Sequence, residues 1–409
     1  MRVVIVGAGK LGCGYLAPLF RVHGHQVVLG CRTDETARRI LTSGGSWRVR
    51  VTGSDEPDAG TVSGVRPVVV GRPEFTAAVA VADLVVTSVG VGNVESLGNP
   101  LATAFAARTR PIDVWVVENA DCAPTLAAAT LAAAAAHGLR LPSVTIAGAV
   151  ATVAVSRGSW LDQGTPEFVG DHYRRLTVDG AAALARRPAL IGVNYSSQYL
   201  ARLHEKLFVF NSGHALTAYL GWLRGHRTVA QSITDPFVRP LVAGALLEAR
   251  RAILATYPRL VPDRGVDQVI DVHAPVAEAL ARYADAELAD PVQRVARDPV
   301  RKLGPCDRLL GPVALMRALG GPPPAHFALG AAAALLYGFH DGQVLAADAQ
   351  AASLRRDLDR EGLTPVLQQV CGLHADDEFA QAVASRYRGF VFLDDGVRFP
   401  PARPGSPSS

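Results

Sequence analysis

The chain has 409 residues, of which 49% are hydrophobic, and a formal net charge of +4 at pH 7. This length predicts two domains, because a single hydrophobic core stops growing at about 250–300 residues. Its basic residues form no run interleaved with aromatic side chains, so a nucleic-acid partner is not expected. No apolar stretch is long enough to span a bilayer and no signal peptide precedes the first strand, so we expect a cytoplasmic protein without membrane association.

The cysteines give no sign of a disulfide framework or a zinc site. Their number is odd, they are scattered, and none forms a CxxC pair. These features predict free thiols and no metal centre. The five positions are Cys13, Cys31, Cys122, Cys306 and Cys371.

The N-terminal part has the pattern of an α/β protein. A β-branched run at residues 2–6 is followed by the loop "GAGKLG", a helical stretch and a second strand from Gln26, which together predict a βαβ unit. Further strand-like runs alternate with Ala-rich helical segments. We therefore predict a Rossmann-type doubly wound sheet in a nucleotide-binding domain over residues 1–190.

Residues 46–71 interrupt this alternation. "SWRVRVTG" alternates apolar and polar residues, and "TVSGVRPVVVG" follows it after a short polar segment. Such a pair predicts an antiparallel β-ribbon inserted into the α/β pattern.

Beyond about residue 190 the periodicity becomes helical and strand signals nearly vanish. Several of these helical stretches begin at Asp, which is a favoured N-cap residue. The pattern predicts an all-α substrate-binding domain over residues 191–399. The composition of residues 400–409, rich in Pro and Ser, predicts a disordered tail.

Gly7, Gly9 and Gly12 match the GxGxxG pattern, which directly follows a strand and opens a helix. In this context the first glycine permits a tight turn, the second lets the backbone approach a pyrophosphate and the third allows close helix–strand packing. We assign Lys10 and Leu11 of the same loop to the cofactor site, and for Lys10 the alternative is a solvated loop residue. The alternative is a Rossmann-like turn that binds no ligand.

The end of the second strand indicates which nicotinamide cofactor is bound. NAD sites have an acidic residue there for the ribose 2′-hydroxyl, whereas a nearby arginine accommodates the 2′-phosphate of NADP. Here Cys31 occupies the acidic position and is followed by Arg32 and Thr33, which favours NADP(H). NAD(H) remains possible if Asp34 takes the acidic role in a shifted register. Val89 and Glu118, near the ends of later strands, complete the predicted cofactor site.

Lysine occurs only at Lys10, Lys206 and Lys302 among 41 basic residues. Arginine cannot be deprotonated in a protein, whereas a desolvated lysine can serve as a general acid or base. Lys206 shares a helical segment with Asn211 and His214, and in an α-helix it would lie about 140° from Asn211. An amide can stabilise a developing alkoxide and a histidine can orient a hydroxyl group. The alternatives are a structural histidine and a helix break at Asn211.

Several motifs resemble the polyol-specific long-chain dehydrogenases, and especially their mannitol-1-phosphate 5-dehydrogenase branch. They are "VGAGKLGCGYL", "TVSGV", "VVENAD", "EKLFVFNSGHALTAYLG" and "RDPVRKLGPCDRLLGP". The resemblance implies a Rossmann domain with a helical domain, no metal, a monomer or small homo-oligomer, and reversible oxidation of a small polyol. It also implies that Lys206 is the general acid/base, that Asn211 and Asn119 donate to the oxyanion, and that His214 orients the substrate.

Two positions depart from the family pattern. The aspartate that binds NAD in the family is Cys31 here, which agrees with the preference for NADP(H). The family's Asp-Arg-Ile-Val-Pro stretch is replaced by "ATVAVSRG" at residues 151–158, so the substrate is expected to differ more than the reaction type.

Lys302, Arg301 and Arg308 form a basic cluster in the helical half. They are assigned to the substrate site because such a cluster can bind a phosphate group. A solvated helix start is the equally weighted alternative.

Together these features predict a metal-free, NADP(H)-preferring dehydrogenase or reductase. Its substrate would be a polyol, sugar phosphate, cyclitol or modified sugar, in a specialised pathway. Three alternatives remain open: an epimerase with tightly held nicotinamide, a nucleotide-sensing protein without turnover, and an enzyme similar to ketopantoate reductase.

Overall fold

The computed structural model describes residues 1–53, 59–258, 273–393 and 396–399. The chain divides into two compact units, Met1–Leu203 and His204–Ser409. A strand at Val193–Ser196 still pairs within the sheet of the first unit, so the division falls after the predicted boundary at residue 190. The predicted disordered tail at 400–409 lies outside the described residues.

The strands of the described residues form three sheets, and most belong to the first unit. In chain order they are β1 (Arg2–Val6), β2 (Gln26–Cys31), β3 (Trp47–Thr52), β4 (Ala59–Val62), β5 (Arg66–Val69), β6 (Leu84–Thr87), β7 (Ile112–Val117), β8 (Val144–Ala151), β9 (Val155–Arg157), β10 (Glu167–Asp171), β11 (Leu176–Asp179), β12 (Val193–Ser196), β13 (Val391–Leu393) and β14 (Gly396–Arg398).

The helices surround the large sheet in the first unit and make up most of the second. They are α1 (Ala17–Val22), α2 (Asp34–Thr42), α3 (Pro73–Ala80), α4 (Gly98–Ala106), α5 (Ala123–Ala136), α6 (Tyr199–Glu205), α7 (Ser212–Leu223), α8 (Val229–Thr234), α9 (Val238–Thr256), α10 (Ala274–Tyr283), α11 (Val292–Ala296), α12 (Pro299–Lys302), α13 (Gly311–Ala318), α14 (Ala325–Leu335), α15 (Gly342–Ala347), α16 (Ala349–Glu361), α17 (Leu363–Cys371) and α18 (Glu378–Gly389). Two π-helical segments, Gly12–Leu16 and Lys206–Asn211, directly precede α1 and α7.

The large sheet has the strand order β12-β11-β8-β7-β6-β1-β2-β5. From β8 to β5 its strands are parallel and follow the order of a doubly wound nucleotide-binding sheet. All six residues of β7 are buried, as expected for a strand with helices on both faces. The predicted fold class, a Rossmann-type domain followed by a helical domain, is confirmed.

The inserted ribbon is larger than predicted. β3 and β4 pair in antiparallel fashion, as expected, but β5 leaves the ribbon and pairs with β2 in the large sheet. β3 also pairs with β10, and β9 completes a four-stranded sheet. Trp47 is buried, and its ring lies edge-on to Trp160 with centroids 5.5 Å apart. Because the partner strand β10 is remote in sequence, local alternation of residues revealed only half of this sheet.

The second unit is built around α7. Ten of its twelve residues are buried, so it is a central helix rather than an amphipathic surface helix. The Ala-rich α14, also buried, packs against it. Within the part of the chain that the structure describes, no helix has both the length and the apolar character needed to cross a membrane.

Candidate functional site

The glycine loop after β1 has the geometry that its pattern predicts. Gly7 has φ +126°, and a Cβ atom there would lie 2.1 Å from the carbonyl oxygen of Ser88. A Cβ on Gly12 would lie 1.9 Å from the carbonyl oxygen of Gly7, so strand and helix are in direct backbone contact. A Cβ on Gly9 would meet no atom within 4 Å. The loop is therefore closed at its two ends and open at its middle glycine, where a phosphate can approach.

A cavity of about 580 Å³ opens beside this loop within the first unit. Its wall includes Gly7, Gly9 and Lys10, the Arg32 side of the β2 end, and Val89 after β6. These positions follow the carboxyl ends of neighbouring parallel strands, where open α/β sheets bind their ligands. The cavity is large enough for part of a dinucleotide, and its residues fit a nicotinamide cofactor.

At the end of β2, the neutral Cys31 is followed by the basic Arg32. Cys31 is fully buried, its thiol contacts the carbonyl oxygen of Leu29, and burial raises its pKa to about 12. Arg32 is exposed and lines the cavity. Asp34 lies 3.3 Å from the guanidinium of Arg72 and is not part of the cavity wall. The Asp34 carboxylate therefore pairs with Arg72 outside the cavity wall. The charged residue that lines the cavity at the end of β2 is Arg32.

Five residues assigned to the cofactor site do not line the cavity, and Gly12 is one of them because it packs within the loop itself. Cys31 and Leu11 point into the protein core. Thr33 is the N-cap of α2 and accepts a hydrogen bond from the amide of Thr36. Glu118 accepts hydrogen bonds from the loop after β6. The sequence interpretation assigned these residues by their proximity to the strand ends, which carries no information on side-chain direction.

Glu118 shapes the loop that follows β6. Its carboxylate accepts hydrogen bonds from the amides of Val89 at 2.7 Å and Gly90 at 3.0 Å. Glu118 is buried, while the neighbouring Asn119 is exposed just beyond the end of β7. Glu118 thus fixes the backbone of a cavity residue, Val89, and Asn119 remains accessible from solvent.

The cavity wall also contains residues that sequence reasoning missed. Residues 158–161 contribute Trp160, whose indole Nε1 donates to the Cys13 thiol at 3.3 Å. Lys10 donates from Nζ to the carbonyl oxygen of Ser156 at 2.5 Å, so the glycine loop is tied to the same segment. This segment ends the "ATVAVSRG" stretch that departs from the family pattern. The only sequence signal for it was that departure.

In the second unit, the Lys206–His214 segment is not a regular α-helix. Residues Lys206–Asn211 form a π-helical segment, which then continues as α7. A π-helix brings residues five positions apart onto one side, and in an α-helix residues three apart are neighbours. Lys206, Asn211 and His214 are therefore aligned along one face. This corrects the 140° separation expected for Lys206 and Asn211 in an α-helix.

Asn211 carries an unused hydrogen-bond donor. Its Nδ2 atom is buried and has no partner among the described residues. A buried donor without an acceptor costs about 1–3 kcal/mol, which a ligand oxygen can recover. Asn211 is thus prepared to bind an oxygen atom beside Lys206.

His214 is held from two sides. Its Nε2 atom lies 3.0 Å from the carboxylate of Asp290, and its ring stacks on Tyr283 with an interplanar angle of 3°. Arg294 binds the same carboxylate with two hydrogen bonds of 2.6 Å. Burial lowers the pKa of His214, although the Asp290 carboxylate opposes this shift. A neutral imidazole that donates from Nε2 to a carboxylate keeps Nδ1 as an acceptor.

The three residues of the basic cluster in the helical half have different surroundings in the structure. Lys302 is only 3% exposed, and its Nζ donates to the carbonyl oxygens of Val295 at 2.7 Å and of Arg297. Burial, together with the guanidinium groups of Arg308 and Arg301, lowers the pKa of Lys302 to about 6. Lys302 is therefore neither a solvated residue nor an exposed cation available to a phosphate.

The two arginines have different positions. Arg301 and Arg308 both bind Asp307, at 3.0 Å and 2.8 Å respectively. The Arg308 carbonyl oxygen accepts a hydrogen bond from Ser212, the residue after Asn211. Arg308 is thus anchored to the helix that carries Asn211 and His214, and Asp307 links Arg301 to Arg308.

Comparisons with known proteins agree with this architecture. The model of the mannitol dehydrogenase C-terminal domain matches residues 199–391. The solved ternary complex of Pseudomonas fluorescens mannitol 2-dehydrogenase with NAD and D-mannitol has a TM-score of 0.72 and 15% identity, covering 95% of this chain and 91% of that one. A D-sorbitol dehydrogenase in substrate-free form has a TM-score of 0.63 and 14% identity, covering 94% of this chain and 95% of that one. The predicted resemblance to the polyol dehydrogenases is confirmed for the C-terminal domain, and the two solved structures share the fold of the chain.

Proposed function

We propose that this chain, whose C-terminal domain belongs to the mannitol dehydrogenase family, is a nicotinamide-dependent dehydrogenase that acts on a secondary alcohol of a polyol or a related sugar derivative. The observation that carries the proposal is the alignment of Lys206, Asn211 and His214 by the π-helical segment. Oxidation of an alcohol requires a group to take the hydroxyl proton and a donor to stabilise the oxygen. One helix face supplies both.

The roles of the three residues follow from their chemistry. Lys206 takes the proton from the substrate hydroxyl in oxidation and returns it to the oxygen in reduction. Asn211 donates from its unpartnered Nδ2 to the same oxygen, where negative charge develops. His214 accepts a hydrogen bond from a substrate hydroxyl at Nδ1, because Asp290 occupies Nε2. The nicotinamide, when bound, accepts or supplies the hydride. Asn119 is proposed as a second donor to the oxygen on the strength of the family resemblance alone.

NADP(H) is the proposed cofactor. A phosphate on the ribose 2′ position would meet Arg32 in a cavity whose β2 end offers no carboxylate. An aspartate at position 31 would instead favour the free 2′-hydroxyl of NAD. NADP(H) is therefore expected to bind more tightly than NAD(H).

An anionic substrate group is proposed to face Arg308. This residue is anchored beside Asn211 through Ser212, whereas Lys302 is enclosed among backbone carbonyls. Screening should therefore compare each free polyol with its phosphate ester. A ratio of kcat/KM near one for the two forms would remove Arg308 from the substrate site.

The cofactor proposal is tested by fluorescence titration of the purified protein with NADPH and NADH. In the Arg32→Ala variant, NADPH affinity should fall tenfold to about a hundredfold, because a charge-assisted contact contributes about 1.5–3 kcal/mol, while NADH affinity stays nearly constant. Arg38→Ala is the matched control, since Arg38 pairs with Glu35 on the exposed side of α2 and does not line the cavity.

The outcomes separate the alternatives. Equal loss for both cofactors, or the same loss in the Arg38→Ala variant, would refute the role of Arg32. Binding of neither cofactor would contradict the dehydrogenase itself. Cofactor that stays bound through purification, with no net oxidation of any polyol, would favour the epimerase. Exchangeable binding without turnover would favour the nucleotide sensor.

A further inference from the structure

The hydroxyl group of Tyr283 is hydrogen-bonded to the backbone of the helical segment that carries Lys206, Asn211 and His214. Tyr283 is the last residue of α10, and its Oη atom donates to the carbonyl oxygen of Phe210 at 2.5 Å. The hydroxyl oxygen of Tyr283 also accepts a hydrogen bond from the backbone amide of His214. Residues 210 and 214 are four apart, which is the spacing of a direct hydrogen bond in an α-helix. A side-chain hydroxyl therefore bridges a pair that an α-helix would join directly.

Such an insertion is a recognised cause of local helix distortion. The amide of Ser212 bonds to the carbonyl of Leu207, five residues back, which is the π-helical pattern. The insertion of Tyr283 and the end of the π-helical segment thus coincide within one turn. The widened turn aligns Lys206 with Asn211.

The local sequence leaves room for the hydroxyl. Gly213 lies between the two bridged residues, and a Cβ atom there would be 2.8 Å from Tyr283 Oη and 2.7 Å from a methyl of Leu246. Any larger residue at 213 would push α9 or the tyrosine away. The Tyr283 ring then stacks on the His214 imidazole. The tyrosine therefore contacts the helix through both its hydroxyl and its ring.

The burial of Tyr283 favours the protonated form of its hydroxyl group, which can donate a hydrogen bond. Tyr283 is 6% exposed, and burial raises the pKa of its hydroxyl above the ordinary value. The group therefore stays protonated and can donate to Phe210 while it accepts from His214. A phenylalanine would keep the ring and lose both hydrogen bonds.

We propose that Tyr283 is a positioning residue, whose hydroxyl holds the π-helical segment open and thereby keeps Lys206 beside Asn211. This inference rests on the proposed function for its effect on catalysis, but not for its effect on the helix. Without the hydroxyl, Phe210 and His214 can bond directly. The segment then returns toward α-helical geometry, in which Lys206 and Asn211 diverge.

The test compares Tyr283→Phe with Tyr337→Phe. Tyr337 is also buried in the second unit, but among the described residues its hydroxyl donates only a long hydrogen bond of 3.4 Å, to the carbonyl oxygen of Gln293, and none to the three site residues. In Tyr283→Phe, kcat should fall between tenfold and a hundredfold, because small misplacements of reacting groups have effects of this size. The NADPH dissociation constant should change less than twofold. Tyr337→Phe should retain kcat within twofold.

Hydrogen–deuterium exchange supplies a readout that does not depend on activity. Peptides covering residues 207–215 should exchange differently in Tyr283→Phe and as in the native protein in Tyr337→Phe. Unchanged exchange in Tyr283→Phe would overturn the proposal, and so would an unchanged kcat. Loss of kcat in proportion to the loss of folded protein would also overturn it. If the native protein oxidises no polyol, the proposed function fails, and the exchange comparison still decides the role of Tyr283.

Discussion

Two lysines of the helical half lie in contrasting surroundings. Lys206 is partly buried at the start of a π-helical segment, on the same face as Asn211. Lys302 is almost fully buried and donates to the backbone carbonyls of Val295 and Arg297. Both stood out in the sequence for the same reason, the scarcity of lysine. Scarcity therefore marks positions where arginine does not fit, and only the surroundings tell whether the reason is chemical or structural.

The largest expected effect is at Lys206. Lys206→Arg keeps the positive charge but removes the ability to exchange a proton near neutral pH. We expect kcat to fall by about three orders of magnitude, within the 10²–10⁴ range of general acid–base catalysis. NADPH binding by fluorescence and the thermal unfolding midpoint should change little. A variant that retains a tenth of the native kcat would show that another group transfers the proton.

A smaller effect, on stability, is expected at Lys302. Its pKa is about 6 in the folded chain and ordinarily 10.5. Between these values the unfolded chain holds a proton that the folded chain lacks, so the free energy of unfolding should rise with pH across this window. The contribution is at most about 1.4 kcal/mol per pH unit.

The measurement for Lys302 is denaturant unfolding at several pH values between 6 and 9. In Lys302→Met the rise with pH should be smaller than in the native protein, because the titrating group is gone. Identical slopes would mean that the Lys302 ammonium keeps its proton in the folded chain. A raised KM for the substrate would return Lys302 to the substrate site.

The smallest effect is expected at Lys10, the remaining lysine. Its ammonium ties the glycine loop to the carbonyl oxygen of Ser156, two residues before the part of the cavity wall at residues 158–161. Lys10→Met removes one hydrogen bond from a charged group, so NADPH affinity should fall about tenfold, with kcat at saturation nearly constant. A loss above a thousandfold would place Lys10 on the phosphates, and no loss would separate it from the cofactor site.

The sequence predicted the structural features that depend on residues close together in the chain. The strand–GxGxxG–helix order and the β-branched runs specify the parallel sheet, and the Lys206–His214 spacing indicated the segment that we propose as the catalytic site. The geometry of that segment could not be predicted, because it depends on the hydroxyl of Tyr283, which lies on another helix. The cavity wall at residues 158–161 was missed for a related reason, since it reaches the glycine loop only through tertiary contacts.

The four-stranded sheet has a consequence for the synthesis of the chain. β3 pairs with β10, so Arg48 is synthesised long before its partner Glu167. Trp47 is likewise synthesised long before Trp160, against which its ring packs. At 5–20 residues per second, the intervening stretch of roughly 120 residues takes about 6 to 24 s to emerge from the ribosome. Throughout this interval the nascent strand keeps its apolar face and its unpaired edge uncovered, which makes it a natural target for chaperones that bind emerging chains. Because the cavity wall includes Phe168, cofactor binding can begin only after this residue has emerged.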